Sequence, residues 1–140
     1  MTTKYILILL GAAFLAALVQ CSKSSSPSIP KPKTDPSFSG DIQPIFSGSC
    51  ATSSACHQSP GQMGLILSSG QSYALLVNFN SVEVPALKRV RPSKVDSSYV
   101  AMKLDGAPGI VLSRMPPGGA LASDRIQMIK NWISKGALDN

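Results

Sequence analysis

Two of the three cysteines and the only histidine of this 140-residue chain fall in one short stretch, Cys50-Ala-Thr-Ser-Ser-Ala-Cys56-His57. This cluster constrains the fold more than any apolar pattern in the chain, because two thiols and an imidazole so close together must be satisfied chemically. The choices are a disulfide beside a bystander histidine, a metal site, or an attachment point for a prosthetic group. A Cys50–Cys56 disulfide closes a small ring, and the stabilisation from a cross-link grows with the loop it closes. Zinc takes four protein ligands, or three and a water, and no further histidine is present to complete such a set. The third choice is a c-type haem. Two thiols form thioethers with its vinyl groups, and a histidine directly after the second thiol meets the iron from the proximal side. The usual spacing is C-x-x-C-H. Here five residues separate the cysteines, so three more must bulge outward, and Ala51 to Ala55 are small and polar enough to do so.

The amino-terminal end bears on where that chemistry takes place. Tyr5 to Val19 is an apolar run of fifteen residues preceded by Lys4. A membrane span needs about 20, whereas a positive residue before a short apolar core has the form of a secretory signal. The run ends in Leu18-Val19-Gln20-Cys21, which resembles a lipobox. That resemblance implies that residues 1–20 are a lipoprotein signal peptide and that Cys21 is lipidated; a simple membrane anchor is the alternative. Ser22 after the cysteine, in place of an acid, favours the outer membrane, with the protein facing the periplasm. Residues 21–37 are rich in Ser, Pro and Lys, a composition that cannot bury enough apolar surface to fold and whose prolines favour extended geometry. They are expected to form a disordered tether. An oxidising compartment also argues against a free reactive thiol pair.

The net charge is +6, and removal of the signal peptide takes away only Lys4. The basic residues are dispersed except for Lys88, Arg89, Arg91 and Lys94. No stripe for nucleic acid forms, and an acidic protein partner or an anionic cofactor edge suits this charge better.

Residues 38–140 are expected to form one domain, long enough for a single modest core. Asp41 is a plausible N-cap for a short helix through Phe46, with Pro44 in the first turn, where proline is tolerated. Gln71 to Asn78 and Ser97 to Leu104 are further short candidates, the latter capped by Asp96 or Ser97 and followed by Gly106. The clearest helix starts at a Ser123 cap, carries Asp124 in its first turn and closes at Lys135-Gly136. Its Ile126, Ile129, Trp132 and Ile133 share one face. Leu65-Ile66-Leu67 reads as a short strand or as loop packing. The expected class is all-α: a few short helices with long loops, in which something besides side chains fills the core.

If haem is that filler, its second axial ligand is a methionine, since no other histidine exists, and a His/Met pair raises the reduction potential. Met128 and Met102 lie on expected helices and read as packing. Met63 follows the cysteine motif closely and would tend to lie on the proximal side. Met115, in Ser113-Arg-Met-Pro-Pro-Gly-Gly119, sits in a stiff open loop far from His57 in sequence and is the best candidate.

At this point the sequence resembles the small class I-like c-type cytochrome domains of bacterial exported lipoproteins. The resemblance rests on Ile42-Gln43-Pro44-Ile45-Phe46, Cys56-His57, Gly64-Leu65, Leu67, Val90-Arg91-Pro92, Ser98-Tyr99, Lys103, Arg114-Met115-Pro116, Gly118-Gly119, Ile126, Ile129, Trp132-Ile133 and Gly136-Ala137, in that order. It implies a cytochrome c-like domain with its terminal helices crossing beside one haem. It also implies Cys50 and Cys56 as thioether attachments, His57 as proximal ligand and Met115 as distal ligand. Arg91 or Arg89 is a candidate partner for a haem propionate, with solvated surface charge as the alternative, and Trp132 for packing on the porphyrin or filling the core. The function implied is one-electron transfer between redox partner proteins, with no small-molecule substrate. The domain's carboxylates, Asp41, Glu83, Asp96, Asp105, Asp124 and Asp139, are too scattered for hydrolysis. Two alternatives stand beside it: a haem sensor or peroxidase with an open distal site, and a haem-free interaction module with a Cys50–Cys56 disulfide.

Overall fold

The structure, a computed structural model, describes residues 31–140. The expected signal peptide, Cys21 and most of the expected tether lie outside the described residues. Among the described residues the domain is helical, with few short helices and almost no strand, in keeping with an all-α class. Four α-helices are present: α1 (Gln43–Ser49), α2 (Ser72–Leu76), α3 (Tyr99–Asp105) and α4 (Ser123–Ser134). A wide π-turn, Phe38–Ile42, leads into α1, and 3-10 turns occupy Gln62–Gly64 and Val95–Ser97. No helix among the described residues is long and apolar enough to cross a membrane.

The first helical segment begins three residues earlier than Asp41, the expected cap. Ser37 is the cap, and its hydroxyl accepts from the Gly40 N–H at 3.3 Å. Asp41 lies within the turn and reaches back, its Oδ2 accepting from the Ser37 N–H at 2.8 Å and from Lys33 Nζ at 2.7 Å. That reciprocal pairing satisfies donors a helix start would otherwise leave open, and Lys33 and the Ser37 amide together hold the Asp41 carboxyl below its ordinary range. The turn is wide because Pro44 follows it. A proline ring collides with the carbonyl four residues back, and a π-turn, with the Gln43 N–H reaching Phe38 O, moves those carbonyls aside. Ahead of Ser37, Pro36 is buried, and the Lys33 carbonyl accepts from Asn131 Nδ2 at 2.8 Å.

The other helices also differ at their ends. Helix α2 is shorter than the expected span because Val77 turns extended and bridges to Val90, the Val90 N–H donating to Leu76 O at 3.0 Å. Helix α3 starts at Tyr99, since the Ser98 hydroxyl turns back to the Lys94 carbonyl at 2.7 Å and holds Ser98 extended. It ends as expected, at a left-handed Gly106 (φ 68°). In α4 Ser123 is the first helical residue and makes no cap bond; Ala122 occupies the cap position. Leu65 to Leu67 form no strand. They run extended across the core, with the Leu67 N–H on the His57 carbonyl at 2.7 Å.

Ile129, Trp132 and Ile133 of α4 share one core with Ile42, Phe46, Leu76 and Val90, all nearly inaccessible. The Phe38 ring lies 5.2 Å from Trp132 and 5.1 Å, edge-on, from Tyr73. Trp132 Nε1 donates to the Leu138 carbonyl at 2.9 Å. The first helical segment is thus closed against the last one. Trp132 is 1% exposed and fills the centre of this contact. Its removal leaves a cavity that the surrounding rings cannot fill. Trp132→Ala is therefore expected to lose about 3–5 kcal/mol, a large fraction of the stability of a domain this size, read as a lowered urea midpoint.

Candidate functional site

A cleft of about 300 Å³ opens between the first helix, the loops at 52–67 and 79–89, α3, and the Met115 loop. Cys50, Cys56, His57, Met63 and Met115 all line it. Its walls are mostly apolar, contributed by Phe46, Leu65, Leu67, Val100 and Leu104.

Cys50 follows the last residue of α1, its N–H on the Phe46 carbonyl at 2.9 Å. The five residues after it fold into tight turns. Cys56 N–H donates to Ser53 O at 3.0 Å, and His57 N–H returns to Cys50 O at 3.1 Å. The gap between the cysteines is taken up as a closed loop, and both thiols reach the same cleft. The two thiols are free and differently set. Burial, and then the neighbouring Cys56, pushes Cys50 up to about 11. The hydroxyls of Ser53 and Thr52, at 3.4 and 3.6 Å from Cys56 Sγ, pull the Cys56 thiol below its ordinary value.

His57 Nδ1 lies 3.0 Å from the Leu65 carbonyl. A carbonyl only accepts, so Nδ1 carries the proton, and in the neutral ring Nε2 keeps its lone pair. This is the outer-shell arrangement that fixes a metal-ligating imidazole. The loop that brings Leu65 O there is bent by positive φ at Gly61 (74°), Met63 (52°) and Gly64 (64°). At Gly61 the need for glycine is steric as well, for an added Cβ would stand 2.5 Å from Leu65 O. Gly61→Ala is expected to cost about 1–3 kcal/mol in urea unfolding. Gly70→Ala, equally left-handed but with open space around its Cβ, is expected to cost less.

Met115 is placed by α3, its N–H donating to Lys103 O at 2.8 Å, while Arg114 Nη2 donates to Leu104 O at 2.6 Å. Met63 shares the cleft and is 52% exposed. Met102 and Met128 do not line it; Met128 packs against the core. Nor does Trp132, which fills the core. Arg91 is exposed and away from the cleft. Arg89 is 4% exposed and lines it, so solvated surface charge does not describe it. Burial lowers the Arg89 pKa from its ordinary value.

Sequence reasoning missed one group on the cleft wall. Lys103 Nζ lies 3.2 Å from Glu83 Oε2, with both side chains about a tenth exposed, and also donates to Val111 O at 2.8 Å. Tyr99 OH donates to the same carboxylate oxygen at 2.7 Å and accepts from the Val111 N–H at 3.0 Å. The four-residue spacing of Tyr99 and Lys103 puts both on one face of α3; Glu83 comes from a loop with no pattern to announce it. Glu83→Gln leaves a buried ammonium without its counter-charge and is expected to cost about 3 kcal/mol. Adding Lys103→Met is expected to recover part of that loss in urea titrations, as a coupled pair should.

Among the described residues no three His, Cys, Asp or Glu side chains gather to hold a metal ion. No protein-family model matches the chain, and neither a curated protein nor a solved structure matches it.

Proposed function

We propose that this domain is a cytochrome c-like electron carrier that holds one covalent haem c in the cleft. The observation that carries the reading is the His57 Nδ1–Leu65 carbonyl contact of 3.0 Å, which leaves Nε2 free as a ligand in a cleft that also receives two free thiols and the Met115 side chain. The residues present fit the group. Cys50 and Cys56 are both available for thioethers, the walls are mostly apolar, and a cleft of this volume is within the range of cofactor sites. Met115 and Met63 are the methionines that line it, and Met115, held by its N–H on the Lys103 carbonyl, is the proposed distal ligand.

When bound, the haem supplies one-electron chemistry, with His/Met ligation raising its potential. The chain's own part is to hold and tune. The Leu65 carbonyl fixes the imidazole tautomer. Phe46, Leu65, Val100 and Leu104 keep water away from the ring. The Lys103–Glu83–Tyr99 group holds the strand of loop leading to Met115 in place. Export behind a cleaved signal peptide, lipidation of Cys21 and service to redox partner proteins at a bacterial outer membrane complete the proposal. The positive charge suits acidic partners.

The test is a denaturing-gel haem stain with a pyridine haemochrome spectrum, on protein made in cells competent for cytochrome c maturation. Wild type is expected to stain and Cys56→Ala to lose covalent haem. Met115→Ala is expected to keep the stain and bind carbon monoxide when reduced. An unstained wild type would sink the proposal and leave a haem-free module.

A further inference from the structure

Arg89 is a buried cation whose hydrogen bonds all go to backbone carbonyls. Nη1 donates to Leu75 O at 2.8 Å and to Gly64 O at 3.2 Å, and Nη2 donates to Met63 O at 2.7 Å. Its guanidinium carbon stands 4.4 Å from the centre of the Phe79 ring. No carboxylate pairs with it among the described residues. Two of its three acceptors, the carbonyls of Met63 and Gly64, directly precede the Leu65 carbonyl that meets His57 Nδ1 at 3.0 Å.

We propose that Arg89 is a positioning residue for His57. By holding the carbonyls of Met63 and Gly64 it fixes the next carbonyl on Nδ1 and so keeps Nε2 as the bare nitrogen. Within the bent segment the backbone bonds are Gly64 N–H to Gly61 O (3.3 Å) and Leu65 N–H to Gln62 O (3.0 Å), while Gln62 N–H to Cys56 O (3.2 Å) and Leu67 N–H to His57 O (2.7 Å) hold its two ends. Met63, a non-glycine residue at positive φ and half exposed, marks where the loop would relax first. The planar guanidinium suits the task, because its fixed fork reaches carbonyls of the loop and of α2 at once, and the Leu75 bond ties the loop to that helix. An ammonium is a single point charge and cannot replace it fully. The role of His57 as a haem ligand rests on the proposed function; the arrangement of its Nδ1 proton does not.

The test uses the full chain as purified, labelled with ¹⁵N at histidine. One histidine gives one imidazole, so no assignment is needed. Haem-loaded protein is measured reduced and diamagnetic. Solvent exchange of the Nδ1 proton is expected to be about tenfold faster in Arg89→Gln than in wild type, the factor given by loss of one ordinary hydrogen bond. Arg89→Lys is expected to fall between the two. Wild-type exchange in a folded Arg89→Gln overturns the proposal. Should that variant not fold, wild-type exchange in Arg89→Lys overturns it equally. If the chain carries no haem, the haem stain shows that separately, and the same comparison on the haem-free chain still decides the role of Arg89.

Discussion

A domain with so little regular structure has to satisfy its backbone without ladders of helix or sheet, and this one does so with long side chains. Buried carbonyls need donors. Arg89 serves Met63, Gly64 and Leu75; Lys103 serves Val111; Arg114 serves Leu104. Gln43 Nε2 serves Leu67, Tyr73 OH serves Ala137, and Trp132 Nε1 serves Leu138. Gln43, Tyr73, Lys103 and Trp132 stand on helices and end on loops, whereas Arg89 and Arg114 stand in loops and reach back to α2 and α3. The helices are therefore a frame to which the loops are tied from both sides, and the loops carry much of the cleft.

That arrangement explains why charge occurs inside so small a core. Cations bonded to carbonyls give stronger hydrogen bonds than neutral donors, and the aliphatic stems of arginine and lysine pack as apolar groups. The cost is that each buried cation needs its partners complete. Lys103 has Glu83 as counter-charge, with Tyr99 holding the carboxylate in turn. Arg89 has three carbonyls and the face of Phe79 instead. These two solutions occupy different parts of the cleft wall, one beside the loop that meets His57 and the other beside the loop that carries Met115. On the proposed reading, the two axial ligands are thus each held by a buried cation acting on backbone.

The sequence made the helices legible wherever an apolar face or a glycine marked them. Ile129, Trp132 and Ile133 share the buried face of α4, and Gly106 ends α3 in the left-handed form that glycine allows. The starts are less legible, as is the end of α2, where Val77 turns extended. Ser37 and Ala122, not Asp41 and Ser123, occupy the cap positions. At the first of these, the choice between two polar residues was settled by Pro44, whose ring widens the turn that precedes it. For the site, Cys50, Cys56, His57 and Met115 could be picked out because their chemistry is rare, and they line one cleft. Glu83 could not, and Arg89 stood out only beside Arg91, as a propionate partner or as solvated charge. A cation or a carboxylate in a loop reads as surface, and only the fold shows which loop covers it.

The five-residue gap between the cysteines is the feature least like the pattern it resembles, and the backbone accounts for it. The N–H of His57 bonds the carbonyl of Cys50 at 3.1 Å, across the whole insertion. The turn at Ser53 to Cys56 absorbs the extra residues, and Ser53 and Thr52 point their hydroxyls at Cys56 Sγ. The spacing that matters to a group bound by two thiols and an imidazole is spatial. Closing the loop at its base sets the backbone of His57 beside that of Cys50 despite the three extra residues. What the insertion adds is local: the hydroxyls of Thr52 and Ser53, both between the two cysteines, stand at Cys56 Sγ.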